Sequence, residues 1–449
     1  MMVDVSPASR LSREALSIPD EKTRYLIQCD LVIEKVNTLL LPLMRQHGID
    51  MWITLDREYN PDPFAAEIGG QGGVRNAHIF FDAGDRLEKT FIFSHPPRED
   101  LAPRLYDQLI HYAYRPEGLR PHLAEVVQTR NPGSIGLNMS ATLPMADGLT
   151  VSLKRYLDEA IGPELAAREV SAELLLRDFR TTRTAAETAV YRRLVEWTTV
   201  WEEVGLSRAA ITPGVTTPDD VHWWWREQAK AIGLDIASFL PGLRIMRNGI
   251  VIEANDPHTP IEAGDCLSID AGLSFLHFQT DMKRSAYVLR PGEREAPRGM
   301  RKAMAAANAV TDRLIGNMQP GRLGHQVWDM TMAELTEDGY EIAYAMGSPA
   351  GPTTPEVGIY CHSVGTSVHD IGARTAEDNP HAFGDRVRYP LALNNWYSIE
   401  HHTATPIVEW DYRTLRVNTE EDAILTERGI EFFVPRQTAW LLVPADDRA

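Results

Sequence analysis

The chain has 449 residues, long enough to bury a large core and to form two or three domains. Its 43% hydrophobic and 24% charged content is that of a soluble globular protein. The net charge of -18 argues against nucleic acid or an anionic membrane surface as the main partner, and three scattered cysteines (Cys29, Cys266, Cys361) indicate neither a zinc finger nor a disulfide framework.

In chain order, Met1–Arg24 is polar, lacks a signal-peptide core and reads as a tail (1–24). No apolar run reaches the ~18 residues that span a bilayer, so the expectation is a cytoplasmic chain with no membrane partner. Tyr25–Gln46 carries an apolar stripe at helical spacing (Leu31, Val32, Val36, Leu39, Leu40, Leu43, Met44) and stops at His47-Gly48. Met51–Leu55 reads as a strand, and 77–93 as a hairpin turning at Asp82-Ala-Gly-Asp85. Asp100–Tyr114 is expected to be helical, 134–138 a short strand and Leu149–Ile161 a helix. This alternation predicts a small α/β domain over 25–172. A second domain, 173–449, opens with a basic connector and a long helix capped by Thr184 with Glu187. The next helix carries Trp223-Trp224-Trp225, which cannot all face inward. At least one is expected to pack on another domain or subunit. Further helices are predicted from Pro297 to about Met318 and from Gly324 to Gly339.

Between these helical stretches, a Gly264-Asp265 turn opens the apolar run Cys266–Ile269, and Ala271-Gly272 break it. Another run, Ser285–Leu289, follows Asp281. Asp270 and Asp281 therefore fall at the facing ends of a hairpin, where two unpaired carboxylates repel and one must stay protonated. A bound divalent cation removes the conflict; two solvated turn aspartates are the plainer alternative. Downstream lie His362 and His369, seven residues apart around Gly365, then Ile399-Glu400-His401-His402, then Glu420-Glu421-Asp422 running to Thr426 and Gly429. Singly, His362 fits a loop histidine and Glu420 a solvated edge.

Together these blocks resemble the pita-bread metallopeptidases, which include methionine aminopeptidase, aminopeptidase P, prolidase and creatinase. The resemblance covers about 175–440 well and 25–170 more loosely. It implies an α/β (α+β) fold: a creatinase-like N-terminal α/β domain, then a pita-bread domain with a curved, mostly antiparallel sheet covered by helices. It implies that Asp270, Asp281, His362, Glu400 and Glu420 hold two divalent ions (Mn, Co, Zn or Fe). It further implies that a metal-bridging hydroxide attacks the carbonyl of a small peptide or amide and so cleaves its C–N bond, as in Xaa-Pro aminopeptidase or prolidase. Glu400 serves as general acid/base, and His369 binds the substrate or the oxyanion. A homodimer is expected from the same resemblance. A non-peptide amidohydrolase of creatinase type and a non-catalytic binding protein are the alternatives, and the complete ligand set speaks against the second.

Several positions around the ligands depart from the family pattern. The window where relatives carry a substrate histidine, Gly249–Glu253, has none, leaving His258 as the nearby candidate. Aminopeptidase P-like histidine and arginine positions are Gly358 and Asn418 here. His401-His402 stands where Pro-Gly is usual, which makes His401 and His402 further candidates for substrate contact.

Overall fold

The computed structural model describes residues 7–70, 73–95, 100–113, 115, 117–239, 241–252, 258–343 and 354–445. Met1–Ser6 of the expected tail, Tyr114 of an expected helix, Glu253 of the histidine-free window and Asn255–Pro257 before His258 lie outside them. The chain divides into two compact units, Pro19–Ala186 and Met1–Ile18 with Glu187–Ala449.

In the unit Pro19–Ala186, helix α1 (Glu21–Lys35) starts at Asp20, whose carboxylate accepts the Thr23 N–H at 2.8 Å. The apolar stripe of Leu31, Val32, Val36, Leu40 and Met44 is buried. A six-stranded sheet follows, ordered β4-β3-β2-β1-β5-β6. Its strands are β1 (Met51–Arg57), β2 (Arg75–Asp82), β3 (Leu87–Phe93), β4 (Gln108–His111), β5 (Ile135–Leu137) and β6 (Glu169–Ser171). Helices α2 (Arg120–Arg130) and α3 (Val151–Ile161) bury Leu123, Val127, Leu153 and Leu157 in the same apolar core as Ile53, Ile79 and Ile135. The helix expected over Asp100–Tyr114 is instead one short helical turn, Ala102–Leu105, followed by β4. Gln108–His111 pairs in parallel with Thr90–Phe93, so sheet completion overrides local spacing.

Asp62 gives this unit a pH dependence. It is buried, accepts from the Phe64 N–H at 2.9 Å and from the Asn138 amide at 3.0 Å, and its pKa is pushed up to about 6, chiefly by burial. A carboxyl raised in the fold contributes stability that is present below its unfolded pKa and is lost as pH rises through about 6. Relative to Asp62→Asn, the native protein is therefore expected to lose roughly 2 kcal/mol between pH 4 and pH 7. Hydrogen exchange of the β1 amides at both pH values reads this out, and a difference that does not change with pH refutes it.

In the other unit, helix α4 (Ala185–Gly205) and α5 (Pro218–Ala231) are joined by a reciprocal pair of indole hydrogen bonds, Trp201 to the Trp225 carbonyl at 3.1 Å and Trp225 to the Trp201 carbonyl at 3.2 Å. A Cβ at Gly205 would fall 2.0 Å from the Trp225 indole nitrogen, so only glycine lets these helices meet. Of the three tryptophans, Trp225 is buried, Trp224 half-buried and Trp223 exposed.

The strands of this unit are β7 (Asp235–Ile236), β8 (Gly242–Arg247), β9 (Ile250–Ile252), β10 (Cys266–Ala271), β11 (Leu273–Phe275), β12 (Phe278–Gln279), β13 (Met282–Val288), β14 (Glu341–Ile342), β15 (Glu356–Ile359), β16 (His362–Ser363), β17 (Trp396–Pro406), β18 (Thr414–Thr426), β19 (Gly429–Phe432) and β20 (Leu441–Val443). A curled, mostly antiparallel sheet runs β14-β15-β17-β18-β13-β10-β8-β9, with β16, β19 and β20 attached to β17, β18 and β13. Helix α6 (Arg298–Asn317) lies across β17 and β18 and buries Met300, Ala303, Met304, Ala307, Val310 and Leu314 at helical spacing. Helix α7 (Gly324–Glu337) packs beside it. This is the pita-bread architecture expected from the motifs. No helix among the described residues is long and apolar enough to cross a membrane.

Candidate metal centre

Strand register builds the site. Asp270 on β10 pairs with Lys283 on β13, Lys283 with Glu420 on β18, and Glu420 with Glu400 on β17. Directly paired residues share a face of the sheet, so four polar side chains form one row across four strands. His362 opens β16 opposite Ser398, two residues from Glu400 and on the same face. Asp281 immediately precedes β13, and its backbone N–H donates to Asp422 Oδ2 at 3.2 Å. Gly272 supports that placement: a Cβ there would fall 1.9 Å from the Thr280 carbonyl oxygen, so only glycine admits the chain this close to the end of β10.

Two groupings result. In the first, Lys283 Nζ is 3.1 Å from Asp270 Oδ2 and 2.7 Å from Glu400 Oε1, and it also donates to Glu420 Oε2. In the second, His362 Nε2 lies 3.6 Å from Asp281 Oδ2, 3.8 Å from Glu400 Oε2 and 3.6 Å from Glu420 Oε1. Glu400 and Glu420 thus each turn one oxygen to Lys283 and the other to His362. Ser398 Oγ also donates to Glu420 Oε1 at 2.5 Å.

The electrostatics follow from crowding. Asp281 is pushed well above the usual carboxylate range, first by burial and then by Glu420. Glu400 is raised by burial and by Glu420, against the pull of Lys283. Burial also opposes ionisation of Glu420, but Lys283 and His362 hold it down to about 2. Lys283, despite burial, is held protonated by Glu400, Glu420 and Asp270.

The donors in the second grouping fit a divalent cation. His362 Nδ1 lies 3.1 Å from the Ser363 carbonyl oxygen, which can only accept, so Nδ1 carries a hydrogen and a cation among the carboxylates would take the place of the proton on Nε2. That Nε2 is buried and has no hydrogen-bond partner. Ligands about 2.0–2.2 Å from a tetrahedral metal stand roughly 3.4 Å apart, close to the spacing around His362. Imidazole with carboxylates suits Mn, Fe, Co or Zn. The first grouping does not fit a second cation in the same way, because its oxygens already point at an ammonium.

All five expected ligands therefore converge. His369 stands at the open side, 70% exposed, with Nε2 3.9 Å from Asp281 Oδ2 and its ring 4.6 Å from that of His362. Glu421, next to Glu420 in the chain, faces the other side of the sheet. The remaining candidates lie apart from the row. His258 is exposed, with Asp220 as a charged neighbour. His401 points the other way from Glu400 and bonds Thr311 on α6 at 2.8 Å. His402 faces Glu356 at 3.2 Å and stacks on Tyr360. Gly358 is its cross-strand partner, and a Cβ at 358 would fall 2.6 Å from the His402 ring. These two departures from the family pattern thus fill one space. Asn418 meets Ser268 at 3.5 Å. Cys361 is a buried thiol. Lys283 is the residue sequence reasoning passed over. In an extended strand it shares a face with Asp281, two positions earlier, and that was the available signal.

Comparison with known proteins gives the class. The model of metallopeptidase family M24 matches residues 198–422, and the chain belongs to that family, whose members are metal-dependent hydrolases. No curated protein sequence matches it. Among solved structures, an X-Pro aminopeptidase from Thermotoga maritima shares 16% identity over 90% of this chain and 99% of its own, with a TM-score of 0.60. An Xaa-Pro dipeptidase from Bacillus anthracis shares 17% over 92% and 99%, TM-score 0.60. A prolidase from Pyrococcus horikoshii shares 15% over 90% and 98%, TM-score 0.54. At these identities the likeness is one of fold.

Proposed function

We propose that this chain hydrolyses a C–N bond in a small peptide or amide, with a divalent cation held by Asp281, His362, Glu400 and Glu420. The buried Nε2 of His362, faced by three carboxylate oxygens at 3.6–3.8 Å, is the observation that carries this reading. A divalent ion in such a place supplies Lewis acidity and lowers the pKa of a water to about 7. Glu400 accepts the proton of the attacking water and delivers it to the leaving nitrogen, a role that its raised affinity for protons favours. His369, on the open side, donates to the substrate carbonyl oxygen. Xaa-Pro dipeptides head the substrate classes, because the solved relatives named above are aminopeptidases and dipeptidases of that type. His402 and Gly358 depart from the family pattern, so other dipeptides and non-peptide amides belong in the same screen.

Chelation tests the reading. Activity towards the responsive substrate is expected to vanish on metal removal and to return with Mn(II), Co(II) or Zn(II). Full turnover by protein shown to be metal-free would refute it.

A further inference from the structure

We propose that the Lys283 ammonium takes the place of one metal ion, so that the centre holds a single divalent cation beside a fixed organic one. This rests on the reading of Asp281, His362, Glu400 and Glu420 as that cation's ligands.

An ammonium has three N–H donors and no acceptor. Lys283 meets three carboxylates, those of Asp270, Glu400 and Glu420, which matches its capacity. Asp270, Asp281 and Glu420 also bring one oxygen each within 4.8 Å of one another, the corner in which a second cation would sit. A dication there would need oxygens that Lys283 already holds, and it would stand against a positive charge about 3 Å from those same oxygens, where like charges repel strongly at low dielectric.

Leaving the corner is difficult for Lys283. Its side chain is only 10% exposed, and strand pairing fixes it between Asp270 and Glu420. The split use of Glu400 and Glu420 adds a second consequence. By holding Oε1 of Glu400 and Oε2 of Glu420, Lys283 turns the other oxygen of each towards His362. It is thus a positioning residue for the single cation, and with all three donors engaged it is neither a nucleophile nor a base.

Metal counting on the full-length protein tests this. The protein is stripped with chelator, dialysed against excess Mn(II) or Zn(II), and counted by native mass spectrometry and elemental analysis. One ion per chain is expected for the native sequence. Two are expected for Lys283→Ala and for Lys283→Ser, which free the corner, and one for Lys283→Arg, which keeps the charge. Two ions in the native protein overturn the proposal and leave the hydrolase reading standing. No ion in the native protein overturns both. One ion in a folded Lys283→Ala or Lys283→Ser overturns the claim that lysine is what blocks the second. Should both of those variants fail to fold, the native count still decides.

Discussion

Glu400→Gln is expected to lower kcat/KM by roughly 10²- to 10⁴-fold, about 3–5 kcal/mol of transition-state stabilisation. The substitution keeps the shape of the side chain and removes its capacity to take a proton. Geometry makes the outcome worse than the loss of one base. Glu400 Oε1 lies 2.7 Å from the Lys283 ammonium, which only donates, so the glutamine oxygen must stay on that side. The amide nitrogen is then turned towards His362 Nε2, where the native carboxylate oxygen stands at 3.8 Å. An N–H donor aimed at that nitrogen competes with a cation for it. The variant should therefore lose metal as well as turnover, and Glu400→Asp, which keeps a carboxylate, should recover part of both. Steady-state kinetics read alongside metal content check this. A Glu400→Gln protein within tenfold of the native kcat/KM would exclude Glu400 as the proton carrier.

That expectation depends on Lys283, and Lys283 shows where the sequence was legible and where it was not. Asp270, Asp281, His362, Glu400 and Glu420 could be read because their order and local spacing carry the family pattern, and each sits at a strand end or in a strand whose apolar run announces it. The pairing of Lys283 with Glu420 links positions 137 residues apart and has no local signature. Lys283 therefore read as a spacer between Asp281 and Arg284. The alternation of strand faces was enough to place its side chain with Asp281, but the carboxylates it meets there come from three other strands. His401 and His402 teach the same lesson from the other side. They are adjacent, so they must face opposite ways, and strand alternation puts His402, two positions on, with Glu400, but it does not tell what either one meets there. The fold sends His401 to Thr311 and His402 to Glu356. The edge strand β4 was missed for a related reason: Gln108–His111 has little strand character of its own and is extended because β3 offers a free edge.

Behind the row, the opposite face of the sheet supports these strands with buried charge, and breaking that support is expected to cost stability. Arg284 follows Lys283 and faces the other way; its Nη1 lies 3.0 Å from Glu421 Oε2, with both side chains buried. It also donates to the Lys283 carbonyl at 2.8 Å and lies 3.9 Å from Glu202, whose carboxylate is buried without a hydrogen-bond partner. Arg284→Met fills much of the volume and removes the charge, leaving Glu421 and Glu202 uncompensated. A loss of about 3–5 kcal/mol is expected from removing one partner of such a pair. The loss should depend on pH in a definite direction. Burial already raises the pKa of Glu421, with Arg284 the main force opposing it. Without Arg284 the folded pKa rises further above the unfolded value. A raised carboxyl contributes stability that is present below its unfolded pKa and is lost as pH climbs through the folded one. The variant should therefore fall further behind the native protein at pH 8 than at pH 5, because acid lets Glu421 and Glu202 take up protons and stay neutral in the core. Urea unfolding at the two pH values measures this. An equal deficit at both would mean that Arg284 stabilises the fold by packing and hydrogen bonding, with its charge contributing nothing.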